Sequence, residues 1–299
     1  MIAYVALIAA SVLWSIPFLL AKLSEPWLGT GHMMLYRFAF AAAGFLPLLL
    51  RYRWKLDRRE WRLVGFAALI GVPIQFLLQF AGVARTTVAH ASLMVGTAPV
   101  LVALAAYFVF HERLGRKAWG ALFASTIGVA LIMVGPMRGT STGGATLAGD
   151  LLVFVSMFGG VGWIMINKTL MKTVSPIAVS TLVTLSGTAM LAVWVLATDG
   201  PPPTSLPIGT WAALAGMGLA GTFCTTLLWN WGLSHVEAGR AGVFINLEPV
   251  FGTMLGVGIL HETLNTTTIL GGLMIVAAAV VITTGGTRPA TAPEPRVTL

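Results

Sequence analysis

Four long stretches of the chain, 63–84, 118–137, 173–198 and 263–287, contain no charged side chain at all. A helix of about 20 predominantly apolar residues crosses the hydrocarbon core of a bilayer. A water-soluble helix of that length is interrupted by charge every turn or two. Composition points the same way. Hydrophobic residues make up 57% of the 299 and charged residues only 9%, against roughly 25% charge in soluble domains. Mean hydropathy is +0.88. Too few charges remain to cover a water-facing surface, so the chain is expected to be an all-α integral membrane protein, with the lipid bilayer as its first partner.

Reading apolar blocks between breakers gives ten spans, at 2–22, 32–50, 63–83, 88–110, 118–135, 150–167, 175–197, 211–233, 240–260 and 267–284. The first block lacks a basic leader and reads as a span, not a cleaved signal. The net charge of +8 would suggest nucleic acid in a soluble protein. Here the basic residues sit in short loops, and loop arginines and lysines report orientation instead. With the amino terminus in the cytoplasm, 14 of the 18 basic residues fall inside, all but Lys22, Arg37, Arg85 and Arg138. This places both termini inside, in the plasma membrane of a bacterium, with no nucleic-acid partner. Cys224 lies in an apolar segment and is read as a small packed side chain.

The chain aligns with itself at an offset of 150 residues. Trp61 falls on Trp211, Gly71 on Gly221, Gly82 on Gly232, and Lys22 and Pro26 on Lys172 and Pro176. Pro99-Val100 and the later His111-Glu112-Arg113-Leu114 fall on Pro249-Val250 and His261-Glu262-Thr263-Leu264. The expected organisation is a first five-helix repeat over 1–135, a Gly/Thr-rich connector over 136–149, a second repeat over 150–285, and a disordered cytoplasmic tail over 286–299. Five is odd, so the second copy enters from the opposite side of the membrane. Two inverted copies can exchange conformations around one site near the midplane and expose it to each side in turn.

Two five-span repeats, each with a Pro-Val pair leading to a His-Glu-x-Leu turn and a Gly-bearing helix, resemble the EamA family of the drug/metabolite transporter superfamily. The resemblance covers about residues 1–285. It is nearest to bacterial amino-acid and metabolite exporters, those for aromatic amino acids among them. It implies ten helices around a central cavity, with the third, fourth, eighth and ninth spans in its walls. It also implies a glutamate closing the fourth and ninth spans, here Glu112 and Glu262.

Glu248 is the clearest candidate for substrate chemistry. It lies about eight residues past Arg240, roughly 12 Å along a helix at 1.5 Å per residue, and a charge at that depth costs about 2.5–3.5 kcal/mol on insertion scales. It precedes Pro249, and Asn246 stands two residues earlier. Two readings stand: it binds a substrate ammonium or a coupling proton, or it is structural, paired with a basic residue of another span or protonated and hydrogen-bonded. Its counterpart in the first repeat is Ala98, so the carboxylate is no part of the shared scaffold. Gln75 and Gln79 are four apart and share a helix face. With Asn230 they are read either as orienting a polar substrate or as interhelical hydrogen bonds. His90 is read as a ligand or as a hydrogen-bonding group near the membrane interface. Trp14 and Trp163 lie deep in their spans and are candidates for an aromatic wall. Arg37, about a turn and a half below the outer surface, is read either as attracting a carboxylate or as snorkelling to pair with Glu25, and the pairing is preferred. Pro17, Pro73, Pro99 and Pro249 are expected to kink spans at depth. Small residues at Gly120, Ala124, Gly128, Gly252 and Gly256 suit close helix approach.

Other signals fail. Gly115 and Asn265 stand where a zinc-protease motif needs its second histidine. No P-loop or Ser elbow occurs, so neither catalysis, cofactor nor metal is expected. Glu112 and Glu262 are read as caps of the turns between spans. The expected activity is secondary export of amino acids or related small metabolites by alternating access, with protons as a candidate coupling ion. A multidrug exporter of lipophilic cations and an intramembrane enzyme are the alternatives.

Overall fold

The computed structural model describes residues 2–51, 54–110, 116–137, 144–236, 241, 244–245 and 247–284. Seven helices among these are long and apolar enough to cross a membrane, and three shorter apolar helices bring the set to ten. In chain order they are α1 (Ile2–Ser24), α2 (Thr30–Arg51), α3 (Arg58–Val83), α4 (Val88–Val95 and Ala98–Phe110), α5 (Arg116–Met137), α6 (Leu147–Leu170), α7 (Pro176–Thr198), α8 (Ile208–His235), α9 (Leu247–Leu260) and α10 (Thr266–Thr284). The outer surface carries bare Phe66, Phe108, Phe123, Val193 and Ile208. Such a belt is stable only against lipid, because soluble proteins rarely expose large contiguous apolar patches. Cys224 also points out of the bundle, so it is a surface side chain and not the packed one its apolar surroundings suggested.

Local chemistry sets the helix starts. The third span begins earlier than its apolar pattern, because Asp57 and Glu60 form a capping box: Glu60 N donates to Asp57 Oδ1 at 2.7 Å and Asp57 N to Glu60 Oε2 at 2.9 Å. Such a cap stabilises a helix by about 1 kcal/mol. It carries the helix five residues out past the apolar block, through charged Arg58, Arg59 and Arg62. Thr146 accepts from Gly149 N at 3.1 Å to open α6 and donates to Arg85 O at 2.6 Å, tying α6 to the end of α3.

The repeats are inverted, five spans in each, and equivalent glycines make equivalent contacts in both. At the C-terminal end of α3, a Cβ on Gly82 would lie 2.7 Å from Gly149 O at the start of α6. At the equivalent end of α8, a Cβ on Gly232 would lie 2.7 Å from Leu7 Cγ and 3.1 Å from Ala3 O at the start of α1. Gly82 also meets Val153 N, and Val153 is 150 residues on from Ala3, so the two contacts repeat at the same offset. Helices α5 and α10 pack together away from the centre, where Gly128 and Gly271 each lie against the other's carbonyl. Gly252 and Gly256 admit Ser92 and Ala89 of α4. Gly120 has open space around it, so of the two α5 glycines only Gly128 sits at a close helix approach.

Three irregularities lie at depth. Ile70–Ile74 in α3 and Leu219–Cys224 in α8 are π turns. A π turn inserts a residue, redirects the following side chains and frees backbone groups. Helix α4 breaks at Gly96 and Thr97, just before Ala98-Pro99, where the residue preceding a proline disfavours helix and the proline lacks an N–H. Irregular backbone at membrane depth persists only where protein or a cavity surrounds it.

Candidate functional site

A cavity at the centre of the bundle takes residues from both repeats. The space around it that holds no atoms, open mouth included, is about 840 Å3. Trp14, Pro17 and Phe18 of α1, Arg37 of α2 and the α3 residues Gly71, Val72, Gln75, Phe76, Gln79 and Phe80 line one part. Trp163 and neighbours of α6, Thr184 of α7, Gly221, Thr222 and Thr226 of α8, and Glu248 of α9 line the other. Val95 and Ala98 contribute from either side of the break in α4. Helices α5 and α10 contribute nothing among the described residues. Both π turns and the α4 break therefore border the cavity.

Five of the eight sequence candidates meet there: Trp14, Trp163, Gln75, Gln79 and Glu248. Trp163 is seated by Gly71, whose missing Cβ leaves room for the indole. Trp14 packs on Trp229 with ring centroids 4.9 Å apart. Glu248 is 7% exposed and has no hydrogen bond or ion pair among the described residues. A buried carboxylate without a partner is costly, so its retention suits a ligand or a proton. Gln75 and Gln79 likewise make no hydrogen bond among the described residues and leave their amides to the cavity.

Asn230 lies outside the wall. Its Nδ2 donates to Ser180 Oγ at 2.9 Å and its Oδ1 accepts from Asn167 Nδ2 at 3.4 Å, joining α6, α7 and α8. His90 also lies outside it. Its Nδ1 is 3.0 Å from Asp150 Oδ2 and its Nε2 is 3.1 Å from Thr268 Oγ1, while Thr86 Oγ1 donates to Asp150 Oδ1 at 2.5 Å. This buried network ties α4, α6 and α10 together at one end of the bundle. Asn246 falls outside the described residues, as does Glu112.

Glu262 does more than close its own turn. Its carboxylate accepts from Val88 N at 2.7 Å and Ala89 N at 2.8 Å, capping α4 from the other repeat. A carboxylate at a helix N-terminus satisfies orphan donors and opposes the positive end of the dipole.

Arg37 is the residue that spacing misplaced. Glu25 pairs with Lys22 at 3.2 Å, and Arg37 turns into the bundle instead, 2% exposed. Snorkelling arguments place an arginine near a span's end at the surface. They fail here because the π turn of α8 presents polar atoms to it at depth. Arg37 Nε donates to Thr222 Oγ1 at 2.8 Å and Nη2 to Gly221 O at 3.3 Å. Thr222 in turn donates to Met217 O at 3.0 Å, covering a carbonyl within the turn. The guanidinium carbon lies 4.6 Å from the Phe76 ring centroid and 5.1 Å from that of Phe80. The signal available in the sequence was the arginine itself: a charge inside an otherwise apolar span is a functional candidate by default.

The profile of the EamA-like transporter family matches residues 1–134 and again residues 147–284. The chain is 25% identical over 266 residues to YyaM, an uncharacterized transporter of Bacillus subtilis, covering 86% of this chain and 85% of that one. It is 26% identical over 282 residues to a biotin transporter of Escherichia coli K12, covering 88% and 87%. A solved crystal structure superposes with a TM-score of 0.68 at 20% identity, covering 94% of this chain and 96% of that chain. With the family profile matched once in each five-helix half and a cavity where the halves meet, the chain belongs to the EamA-like transporter family.

Proposed function

We propose that this transporter is a secondary carrier that exports amino acids, aromatic ones among them, or related small polar metabolites. Substrate enters the central cavity from the cytoplasm, and the two inverted repeats then exchange conformations to release it outside. The observation that carries this reading is Glu248: a buried carboxylate that makes no hydrogen bond or ion pair among the described residues, in a cavity walled by both repeats and by Trp14 and Trp163. The carboxylate suits a substrate ammonium or a coupling proton, the indoles suit an aromatic side chain, and Gln75 and Gln79 offer amide donors and acceptors. The distribution of loop arginines and lysines supports cytoplasmic termini in a bacterial inner membrane.

A second reading, a carboxylate-bearing cofactor such as biotin, is favoured by the relative named as a biotin transporter. The purified chain in proteoliposomes, challenged with labelled amino acids, biotin and a lipophilic cation, separates these readings. Saturable counterflow of amino acids is the expected result. Flux of the lipophilic cation alone rejects the amino-acid assignment, and linear, non-saturable flux rejects a carrier.

A further inference from the structure

The cavity holds two opposite charges that do not pair. No ion pair joins Arg37 and Glu248 among the described residues. Each is held apart by its own element, Arg37 on α2 of the first repeat and Glu248 on α9 of the second. The guanidinium is fixed from one side only. Nε and Nη2 are engaged by Thr222 and Gly221, the Phe76 and Phe80 rings lie beside it, and Nη1 is buried with no acceptor among the described residues. Leaving a buried charged donor unsatisfied is unfavourable. A purely structural arginine would be served better by an acceptor at that third nitrogen.

A guanidinium is a rigid, permanently charged fork whose geometry matches a carboxylate. With two of its nitrogens anchored by protein, the orientation of the third is fixed in advance, which lowers the ordering cost of binding. We propose that Arg37 is the carboxylate-binding residue of the cavity: it takes the substrate's carboxylate on Nη1, and the site selects molecules that carry that group. Glu248 then faces the ammonium of a zwitterion. Because Nη1 is buried in this conformation, the carboxylate reaches it after a side-chain adjustment within the transport cycle. The assignment deepens the amino-acid reading above and rests on the same cavity. It disfavours lipophilic cations, which an arginine in the wall repels.

Three ligands of one shape separate the charges: L-phenylalanine, 3-phenylpropanoate without the ammonium, and 2-phenylethylamine without the carboxylate. Equilibrium binding of each labelled compound to the purified full chain is measured for wild type, Arg37→Gln and Arg37→Lys. Wild type is expected to bind both carboxylates more tightly than the amine. Arg37→Gln should weaken both carboxylates by about 10- to 150-fold, the range for a hydrogen bond to a charged group, and the amine far less. Arg37→Lys, with charge but no fork, should fall between.

Equal losses for all three ligands, an amine that binds wild type as tightly as the acids, or no binding of either acid each overturns the assignment. Binding of 3-phenylpropanoate without L-phenylalanine upholds Arg37 and sinks the amino-acid reading, so the two fail separately. Should Arg37→Gln not fold, wild type still decides. 3-Phenylpropanoate should slow phenylglyoxal modification of Arg37, read by mass spectrometry of its peptide. Equal rates with 2-phenylethylamine count against the proposal.

Discussion

Helices α3 and α8 carry equivalent π turns, yet different chemistry surrounds them. In α3 the turn contains Pro73, whose missing N–H cannot join the normal ladder, so local sequence accounts for the irregularity. In α8 the equivalent residue is Phe223, and nothing in the local sequence demands it. There the turn is bound from outside, by Arg37 on Gly221 O and Thr222 Oγ1. Across the pseudo-symmetry the partner of Arg37 is Gly187, packed against Val72 where a Cβ would collide. Thr222 matches Val72, and Glu248 matches Ala98. The scaffold glycines at 71 and 221, and at 82 and 232, are kept in both halves. The charges occur in one half each, opposite a small or apolar residue. Symmetry thus supports the shape change, and its breaking supplies the binding chemistry.

The comparison is broken most directly at Glu248. Glu248→Gln is expected to lower amino-acid flux by about 10- to 150-fold, from loss of a charge-assisted contact. If this carboxylate also carries the coupling proton, the remaining flux should ignore an imposed pH gradient. Flux as pH-sensitive as wild type's rejects the proton role.

The scaffold side of the comparison is tested by Gly71→Ala and Gly221→Ala. Their added methyls meet the Trp163 indole and the Pro17 ring, and overpacking costs about 1–3 kcal/mol, which outweighs the gain of up to about 1 kcal/mol in helix propensity. Both variants should melt at lower temperature in detergent. Gly65→Ala, with open space at that position, should melt unchanged or slightly higher. Similar melting in all three would mean that the equivalent glycines do not set helix approach.

The smallest effect expected is at the α8 turn. Thr222→Val removes one anchor of Arg37, about 1 kcal/mol or roughly fivefold in affinity for a carboxylate ligand. Val72→Thr, the mirror change, meets Gly187 and no arginine, so its effect on the same binding assay should be less than twofold. Equal effects would remove the functional asymmetry between the turns.

Helices and inversion are legible in the sequence because lipid leaves few options. Uncharged blocks of fixed length must be spanning helices, and an odd number of spans per repeat must invert the second copy. The predicted span limits therefore fall within a few residues of the observed ones wherever composition alone sets the boundary. They miss at α3, where the Asp57 and Glu60 cap extends the helix into charged sequence, and the start of the ninth span, expected at 240, lies outside the described residues, α9 running from Leu247. At the site, periodicity picked out Gln75 and Gln79, and depth picked out Glu248, Trp14 and Trp163, all of which line the cavity. Asn230 and His90 could each be read as a ligand or as a hydrogen-bonding group, and they serve helix junctions, because their partners Ser180, Asn167, Asp150 and Thr268 come from distant spans.

The amino-acid sequence by itself determined that this chain crosses a bilayer ten times in two inverted halves, since hydrophobic length and repeat offset are one-dimensional quantities. Only the tertiary structure decided which polar groups share a cavity. The direction an arginine takes depends on acceptors that another helix presents, here through a π turn that no local pattern announces.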